Sequence, residues 1–350
     1  MHLFKISLVI GLLLLCHSLS WADESGDPNC LAQKISDKRF QDEVWLLSCR
    51  SLGCVEHAGA IPAKNLTVDL VSWQYNLEGK RWSKTPYERL LKTGRHLETV
   101  LWVHGNLTTA TEAFATGLRV YRNLVSDRES RLPVRFIIWS WPASKVLNRP
   151  VPDARVKAAR TTWAGLRLAG LLDQMPNEAS VSLLGFSFGA RVVAAALELL
   201  AGGELNGKRI KNLRDDQSYR VTLFAAALDS HWLLPGSRFG SALKVISHLT
   251  LITNDCDWIL KHYGKLYGHC GRRGPAALGY TGLNVGILST GEKEKIKQFN
   301  VSPSLGKEHT LQAYLNSRSA TQRIREGVFQ KTSLIQAETT PKLSKSVYLD

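Results

Sequence analysis

The sequence predicts an α/β fold in which helices cover both faces of a mostly parallel sheet. Short, almost wholly apolar runs suit strands that are buried on both faces, and longer segments with helical spacing separate them. The two kinds of segment alternate through most of the chain. With 350 residues, of which 44% are hydrophobic, the chain can bury one large core, so we expect a single main domain.

The elements follow from these patterns in chain order. Strands are predicted over residues 43–47, 66–71, 99–103, 134–139, 181–184, 221–228, 249–253 and 296–301. Helices are predicted over residues 109–125, 153–175, 190–200 and 310–316. The polar segment 76–95 is predicted to be a connection, and the polar residues from Ala320 onward are predicted to be a mobile tail.

The N-terminus has the pattern of a secretory signal peptide. His2 and Lys5 precede an apolar run over residues 6–16, and Ser20-Trp21-Ala22 places small residues where a cleavage site requires them. We therefore expect a signal peptide over 1–22, an extension over 23–42, the main domain over 43–319 and the tail over 320–350. The mature protein would act in the periplasm or outside the cell, unless the apolar run stays uncleaved as a membrane anchor.

The chain has 6 cysteines, and all except Cys16 follow the predicted cleavage site. Because disulfides persist in oxidising compartments, Cys256 can pair with Cys270, and two of Cys30, Cys49 and Cys54 can pair with each other. Free buried thiols are the alternative. No pair has the Cys-x-x-Cys spacing of a zinc site, and we expect neither a metal nor an organic cofactor.

The formal net charge of +15 favours anionic partners, such as an anionic envelope surface. Basic residues cluster over 81–95, at Arg272-Arg273 and in the C-terminal segment. No nucleic-acid-binding motif accompanies them. We therefore expect no nucleic-acid partner and interpret most of the charge as solvated surface.

The strongest functional signal is the pentapeptide Gly-Phe-Ser-Phe-Gly over residues 185–189. It lies between an apolar strand and an alanine-rich helix, where a tight strand-to-helix turn would expose a nucleophilic serine. Gly185 and Gly189 have no Cβ atoms to obstruct the close approach of strand and helix. Ser187 is therefore the predicted nucleophile.

In a site of this kind the acid and then the base follow the serine along the chain. Asp255 and Asp257 both follow the strand over 249–253, and we favour Asp257 because the apolar residues after it can hold it against the core. Asp255 and Asp229 remain alternative acids. His309 is the only histidine after the last predicted strand, so its position alone selects it as the base.

A serine nucleophile also requires two N–H donors for the oxyanion that forms during its attack. The predicted donors are the backbone N–H groups of Phe188, directly after the nucleophile, and of Asn106, in the loop after the strand over 99–103. His104 precedes Asn106 by two residues, and we predict that it shapes this loop and is not the base.

With these residues in place, the chain resembles the α/β-hydrolase superfamily, and within it a bacterial branch of exported serine hydrolases of unknown function. The similarity covers approximately residues 44–315 and rests on residues 103–105 (Val-His-Gly), 139–142 (Trp-Ser-Trp-Pro), 185–191 and 254–260 (Asn-x-x-Asp-x-x-Leu). The resemblance implies a triad of Ser187, Asp257 and His309. The chain departs from many relatives in carrying Phe186 and Phe188 beside the nucleophile, which would narrow the pocket.

Together these observations predict an esterase-like serine hydrolase that cleaves a carboxylic ester through an acyl-enzyme mechanism. The substrate would be a small-molecule, lipid or acylated-polymer ester. A different class remains open, a non-catalytic envelope binding protein that uses a hydrolase scaffold and its basic surface. The segment between Asp229 and the next strand is too short for a helical cap, so we expect little or no cap domain and a site walled by residues 141–153 and 261–283.

Overall fold

The computed structural model describes residues 39, 41–54, 58–94, 96–126, 128, 130, 132–176, 180–214, 216–264 and 274–329. The predicted signal peptide lies outside the described residues, as do most of the predicted extension, Cys30, Cys270, Arg272-Arg273 and residues 330–350 of the predicted tail.

The described part of the chain alternates strands and helices. The strands are β1 Glu43–Ser48, β2 Gly59–Pro62, β3 Val71–Asn76, β4 Arg81–Lys84, β5 Glu98–Val103, β6 Val134–Ser140, β7 Val181–Phe186, β8 Lys208–Lys211, β9 Tyr219–Phe224, β10 Ile246–Thr253 and β11 Ile296–Asn300. The helices are α1 Tyr87–Lys92, α2 Ala110–Ser126, α3 Pro150–Asp173, α4 Phe188–Leu200, α5 Trp258–Lys261, α6 Leu278–Thr281, α7 Thr290–Glu294, α8 Ser302–Leu305, α9 Leu311–Asn316 and α10 Arg318–Val328.

A nine-stranded sheet forms the centre of the described structure, in the order β11-β10-β9-β7-β5-β6-β1-β3-β4. The pairs from β11 through β1 are parallel, whereas β3 and β4 add an antiparallel edge. The predicted fold class, an α/β fold with a mostly parallel central sheet, is confirmed. Because parallel strands end at the same edge of a sheet, the loops after β5, β7, β10 and β11 all lie at the carboxyl edge.

Helices cover both faces of the sheet. A Cβ atom placed on Gly185 would lie 2.8 Å from the Ala190 Cα of α4 and 3.1 Å from the Leu223 side chain, so α4 covers that face. Gly327 of α10 lies against Thr222 and Thr250 instead. Since successive strand residues point to opposite faces, Thr222 and Leu223 mark the two sides of β9.

The prediction of a strand over residues 66–71 is wrong, and so is the prediction of a connection over 76–95. Residues 63–66 form a short 3-10 helix, and the second strand of the main sheet begins only at Val71. Leu66 is fully buried against Gly170 of α3, which holds it outside the sheet. The apolar alternation continues to Tyr75, and β4 and α1 follow within the segment predicted to be a connection.

The mobile tail predicted from Ala320 is also wrong as far as Phe329, and the domain extends past its predicted end at 319. Residues 318–328 form α10, which buries Ala320, Ile324 and Val328 at helical spacing. Ser317 caps the start of the helix, because its side chain accepts a hydrogen bond from the Ala320 N–H. The polar composition concealed this narrow apolar stripe.

Replacing Ile324 of α10 with alanine should lower the free energy of unfolding by about 2–5 kcal/mol, because the Ile324 side chain is 1% exposed and its removal would leave a cavity. Gln322→Ala on the exposed face of the same helix is the control and should change it by less than about 0.5 kcal/mol. Urea unfolding of the two variants measures the difference. Equal effects would contradict the packing of α10 on the sheet.

Cys49, Cys54 and Cys256 are free thiols. The predicted pairing of Cys256 with Cys270 is therefore not supported, and Cys49 and Cys54 are not joined to each other. Burial raises the pKa of the Cys49 thiol to about 12, which makes this side chain chemically inert. No described helix is both long and apolar enough to cross a membrane.

Candidate active site

The turn between β7 and α4 holds Ser187 in a strained backbone conformation, with φ 53° and ψ −120°. Non-glycine residues seldom adopt a positive φ, and the strain is characteristic of functional turns. The first turn of α4 also lies so close to the end of β5 that a Cβ atom on Gly189 would overlap the carbonyl oxygens of Val103 and His104. The Gly185–Gly189 spacing is therefore a steric requirement of the turn.

Backbone hydrogen bonds fix the strained turn from both sides. The Ser187 N–H donates to the Phe224 carbonyl at 3.2 Å, and the Ser187 carbonyl accepts from Ala190 at 3.1 Å and Ala227 at 3.2 Å. These bonds attach the turn to the end of β9 as well as to α4. The Ser187 hydroxyl is thereby held at the carboxyl edge of the sheet.

Gly189→Ala should destabilise the protein by about 1–3 kcal/mol and displace Ser187, because the new methyl group would overlap backbone oxygens that cannot rotate away. Gly291→Ala is the control, since no atom lies within 4 Å of the added Cβ at that position. Thermal unfolding of both variants is the measurement. A Gly189→Ala protein as stable as the control would contradict the close approach of α4 to β5.

The structure brings His309 and Asp257 into line with Ser187. The distance from Ser187 Oγ to His309 Nε2 is 3.1 Å, and that from His309 Nδ1 to Asp257 Oδ2 is 2.7 Å. An ionised carboxylate can only accept hydrogen bonds. His309 Nδ1 therefore carries the proton and donates a hydrogen bond to Asp257. The Nε2 lone pair then faces the Ser187 hydroxyl, which is the arrangement that a general base requires.

Asp257 is held rigidly at the start of α5. Its side chain is fully buried, and Oδ1 accepts the N–H groups of Ile259 and Leu260, each at 2.9 Å. The second oxygen is left for His309. The helix cap thus orients the carboxylate toward the imidazole.

The two alternative acids have other partners. Asp255 is exposed and accepts a hydrogen bond from the Asn300 side chain at 2.7 Å, and a hydrogen bond with Ser302 contributes most to lowering the pKa of its carboxyl. Asp229 accepts the Tyr263 hydroxyl at 2.5 Å, and burial raises its pKa. Neither carboxylate forms a hydrogen bond with His309.

Asn254 is a positioning residue that the sequence analysis did not identify as such. This fully buried side chain donates to the carbonyls of Gly306 at 2.9 Å and Glu308 at 3.1 Å, and so fixes the loop that carries His309. The signal was present, because Asn254 begins the Asn-x-x-Asp pattern that ends at Asp257. One short segment therefore holds both the acid and the loop of the base.

His104 occupies a buried position in the loop after β5 and does not contact Ser187 through a hydrogen bond. Its Nδ1 lies 2.9 Å from the Gly105 carbonyl, and its Nε2 accepts the Trp141 N–H at 3.2 Å and lies 3.1 Å from Arg50. Burial, reinforced by the charge of Arg50, lowers the pKa of His104 to about 3. His104 is therefore a neutral residue that holds the loop, as the sequence analysis predicted.

The loop that carries Asn106 lies directly against the nucleophile. A Cβ atom on Gly105 would lie 3.3 Å from the Ser187 Cβ. Arg50, a second residue that the sequence analysis missed, donates to the Thr108 carbonyl at 2.9 Å and so fixes the far side of the loop. Phe188 is the first residue of α4, so its N–H is among the free donors of the helix N-terminus.

Asp229 belongs to a network beside α4. The Tyr263 hydroxyl donates to Asp229 and accepts from Arg191 at 3.3 Å. The Arg191 guanidinium lies 5.4 Å from the centroid of the Phe188 ring and 4.8 Å from that of Trp232. This network anchors the first turn of α4 and gives Asp229 a structural role.

Among the described residues, no group of three or more His, Cys, Asp or Glu side chains could hold a metal ion.

The predicted wall over residues 141–153 is anchored by Asp153, whose Oδ1 accepts the N–H groups of Val146 at 2.7 Å and Leu147 at 2.8 Å. Only residues 261–264 and 274–283 of the second predicted wall are described.

No protein-family model and no curated protein matches this sequence. Among solved structures, the chain is similar to a provisionally named cell surface hydrolase from Lactobacillus plantarum WCFS1, with 11% identity and a TM-score of 0.33 over 66% of this chain and 89% of that one. It is also similar to an iodinated complex of an acetyl xylan esterase, with 14% identity and a TM-score of 0.30 over 66% of this chain and 98% of that one. At these values the similarities assign no activity, and the function has to be argued from the residues of the site.

Proposed function

We propose that this chain is a serine hydrolase that cleaves carboxylic esters, with Ser187 as nucleophile, His309 as base and Asp257 as the acid that orients the base. The observation that carries the proposal is the continuous hydrogen-bonded path from Ser187 Oγ through both nitrogens of His309 to Asp257. The strained φ of Ser187 supports it independently, because a turn without a chemical role would have no reason to retain that strain.

In the first half of the reaction, Ser187 Oγ attacks the acyl carbon while its proton passes to His309 Nε2. The carbonyl electron pair moves onto oxygen, where the N–H groups of Phe188 and Asn106 stabilise the charge. The tetrahedral intermediate then collapses, the bond to the alcohol breaks, and the alcohol leaves with the proton from Nε2. The acyl group remains on Ser187 as an ester.

In the second half, His309 takes a proton from a water molecule as the water oxygen attacks the acyl-enzyme. The bond to Ser187 Oγ breaks, the proton returns to that oxygen, and the carboxylic acid leaves. Asp257 stabilises the imidazolium in both halves and remains ionised. Small-molecule, lipid and acylated-polymer esters are the proposed substrates. The signal-like N-terminus supports a proposed reaction outside the cytoplasm.

Stopped-flow hydrolysis of p-nitrophenyl esters with acyl chains of increasing length tests the proposal. We expect a burst of p-nitrophenol equal to one per protein molecule, followed by slower turnover, because p-nitrophenol is a good leaving group and acylation should therefore be faster than deacylation. The acyl chain that gives the largest kcat/KM would show which acyl length the site accepts best. A folded protein that shows neither burst nor turnover on any ester would favour the non-catalytic binding protein.

A further inference from the structure

A cavity lies on the face of the sheet that α10 covers. It has a volume of about 580 Å³, within the range of small-molecule sites. Its walls come from β9, β10, β11 and α10, and they include four basic side chains: Arg220, His248, Lys297 and Arg323. We call these four residues the basic cluster.

The strand register explains why the cluster converges. Arg220 pairs with His248 across β9 and β10, and Lys297 pairs with Thr250 across β10 and β11. Since strand residues two apart share a face, these side chains project to one side of the sheet. Arg323 approaches from α10 and lies 4.4 Å from the centroid of the Phe299 ring of β11.

The cavity is remote from the proposed active site. The strand residues of the basic cluster lie near the starts of their strands, whereas Ser187, Asp257 and His309 follow the strand ends. Along β10, Thr253 lies five positions after His248, which corresponds to about 17 Å. A ligand in this cavity would therefore not be the ester under attack.

Positive charge in the cavity exceeds negative charge. Glu326, the one acidic residue among the described residues of the lining, pairs with Arg323 at 2.8 Å. Neither Arg220 nor Lys297 has an ion-pair partner among the described residues, and Glu98, the acidic group that attracts Arg220, already pairs with Arg128. The pKa of His248 is lowered by burial and then by the charges of Arg220 and Lys297.

We propose that the basic cluster binds the phosphate group of a small soluble organic phosphate. A phosphate offers several acceptor oxygens and more than one negative charge, which suits cations that reach it from neighbouring strands and a helix. The cavity exceeds the size of a phosphate, and its apolar wall, which includes Phe329, leaves room for an organic remainder. The site is independent of the proposed ester hydrolysis.

Isothermal titration calorimetry with inorganic pyrophosphate tests the site on the full chain. The variant is Arg220→Gln/Lys297→Gln, and the matched control is Arg209→Gln/Lys211→Gln, which removes the same two charges from exposed positions of β8. We expect saturable binding at one site in the wild type and the control, and at least tenfold weaker binding in the variant. Lys297→Gln alone, an exposed substitution that should fold, is expected to weaken binding at least threefold.

Either of two calorimetric results would overturn the proposal: no saturable binding by the wild type, or an equal loss in the variant and the control, which would indicate general charge attraction. Vesicles containing phosphatidic acid distinguish a lipid headgroup from a soluble phosphate. We expect the variant and the control to bind these vesicles equally. Vesicle binding that is lost only in the variant would contradict a soluble ligand.

Discussion

Ser187→Ala is expected to lower the rate of ester hydrolysis by at least about a thousandfold, because it removes the proposed nucleophile. Alanine removes only the oxygen that lies 3.1 Å from His309 Nε2 and keeps the backbone bonds of the turn. The stability of the variant should therefore be close to that of the wild type. Initial rates on a p-nitrophenyl ester, measured beside thermal unfolding, provide the comparison.

Ser83→Ala on β4 is the matched control, since Ser83 is exposed at the sheet edge and should leave the rate unchanged. Combining Ser187→Ala with His309→Ala gives a sharper test. Residues that act as one unit are non-additive, so the double variant should be no slower than the single variants. Losses that multiplied would show that Ser187 and His309 act separately.

Asp257→Asn should reduce kcat by about a thousandfold or more while the protein remains folded. The asparagine can keep its oxygen on the Ile259 and Leu260 N–H groups, so the cap of α5 survives. Its amide would then present an N–H to His309 Nδ1, where the structure requires an acceptor. The imidazole would adopt the wrong tautomer, with its proton on Nε2 facing the serine.

The same substitution at the alternative acids provides the controls. Asp255→Asn alters a carboxylate that is exposed and bonded to Asn300, so the rate should change by less than about twofold. Asp229→Asn should mainly affect stability, because Asp229 is bonded to Tyr263. If Asp255→Asn were to lose as much activity as Asp257→Asn, the assignment of the acid would be wrong.

The fold was largely predictable because parallel strands buried on both faces leave continuous apolar runs, as β5 and β6 do. Several elements outside the parallel part of the sheet were not predictable in this way. The two-stranded sheet of β2 and β8 has few apolar residues, and the strand after β1 was placed too early because Leu66 packs on α3. The helix α10 was not predicted, because few of its residues are buried and its composition is polar.

The three residues predicted as a triad could be chosen from the sequence because fold order restricts where each can occur. The residues that support the triad could not be chosen from the sequence, since their roles depend on contacts between distant segments. Arg50 follows β1 and reaches the loop of His104, and Asn254 supports carbonyls more than 50 residues later. The preference for Asp257 over Asp255 agrees with the geometry because the apolar residues after Asp257 form α5.

Labelling with a fluorophosphonate probe, followed by mass-spectrometric mapping of the modified peptide, tests whether Ser187 is an activated nucleophile. The probe reacts with a serine only when a neighbouring base activates it. If His309 activates Ser187, the wild type should carry one label per chain, on Ser187, and the His309→Ala variant should carry none. A folded wild-type protein that stays unlabelled, or one labelled at another residue, would contradict it.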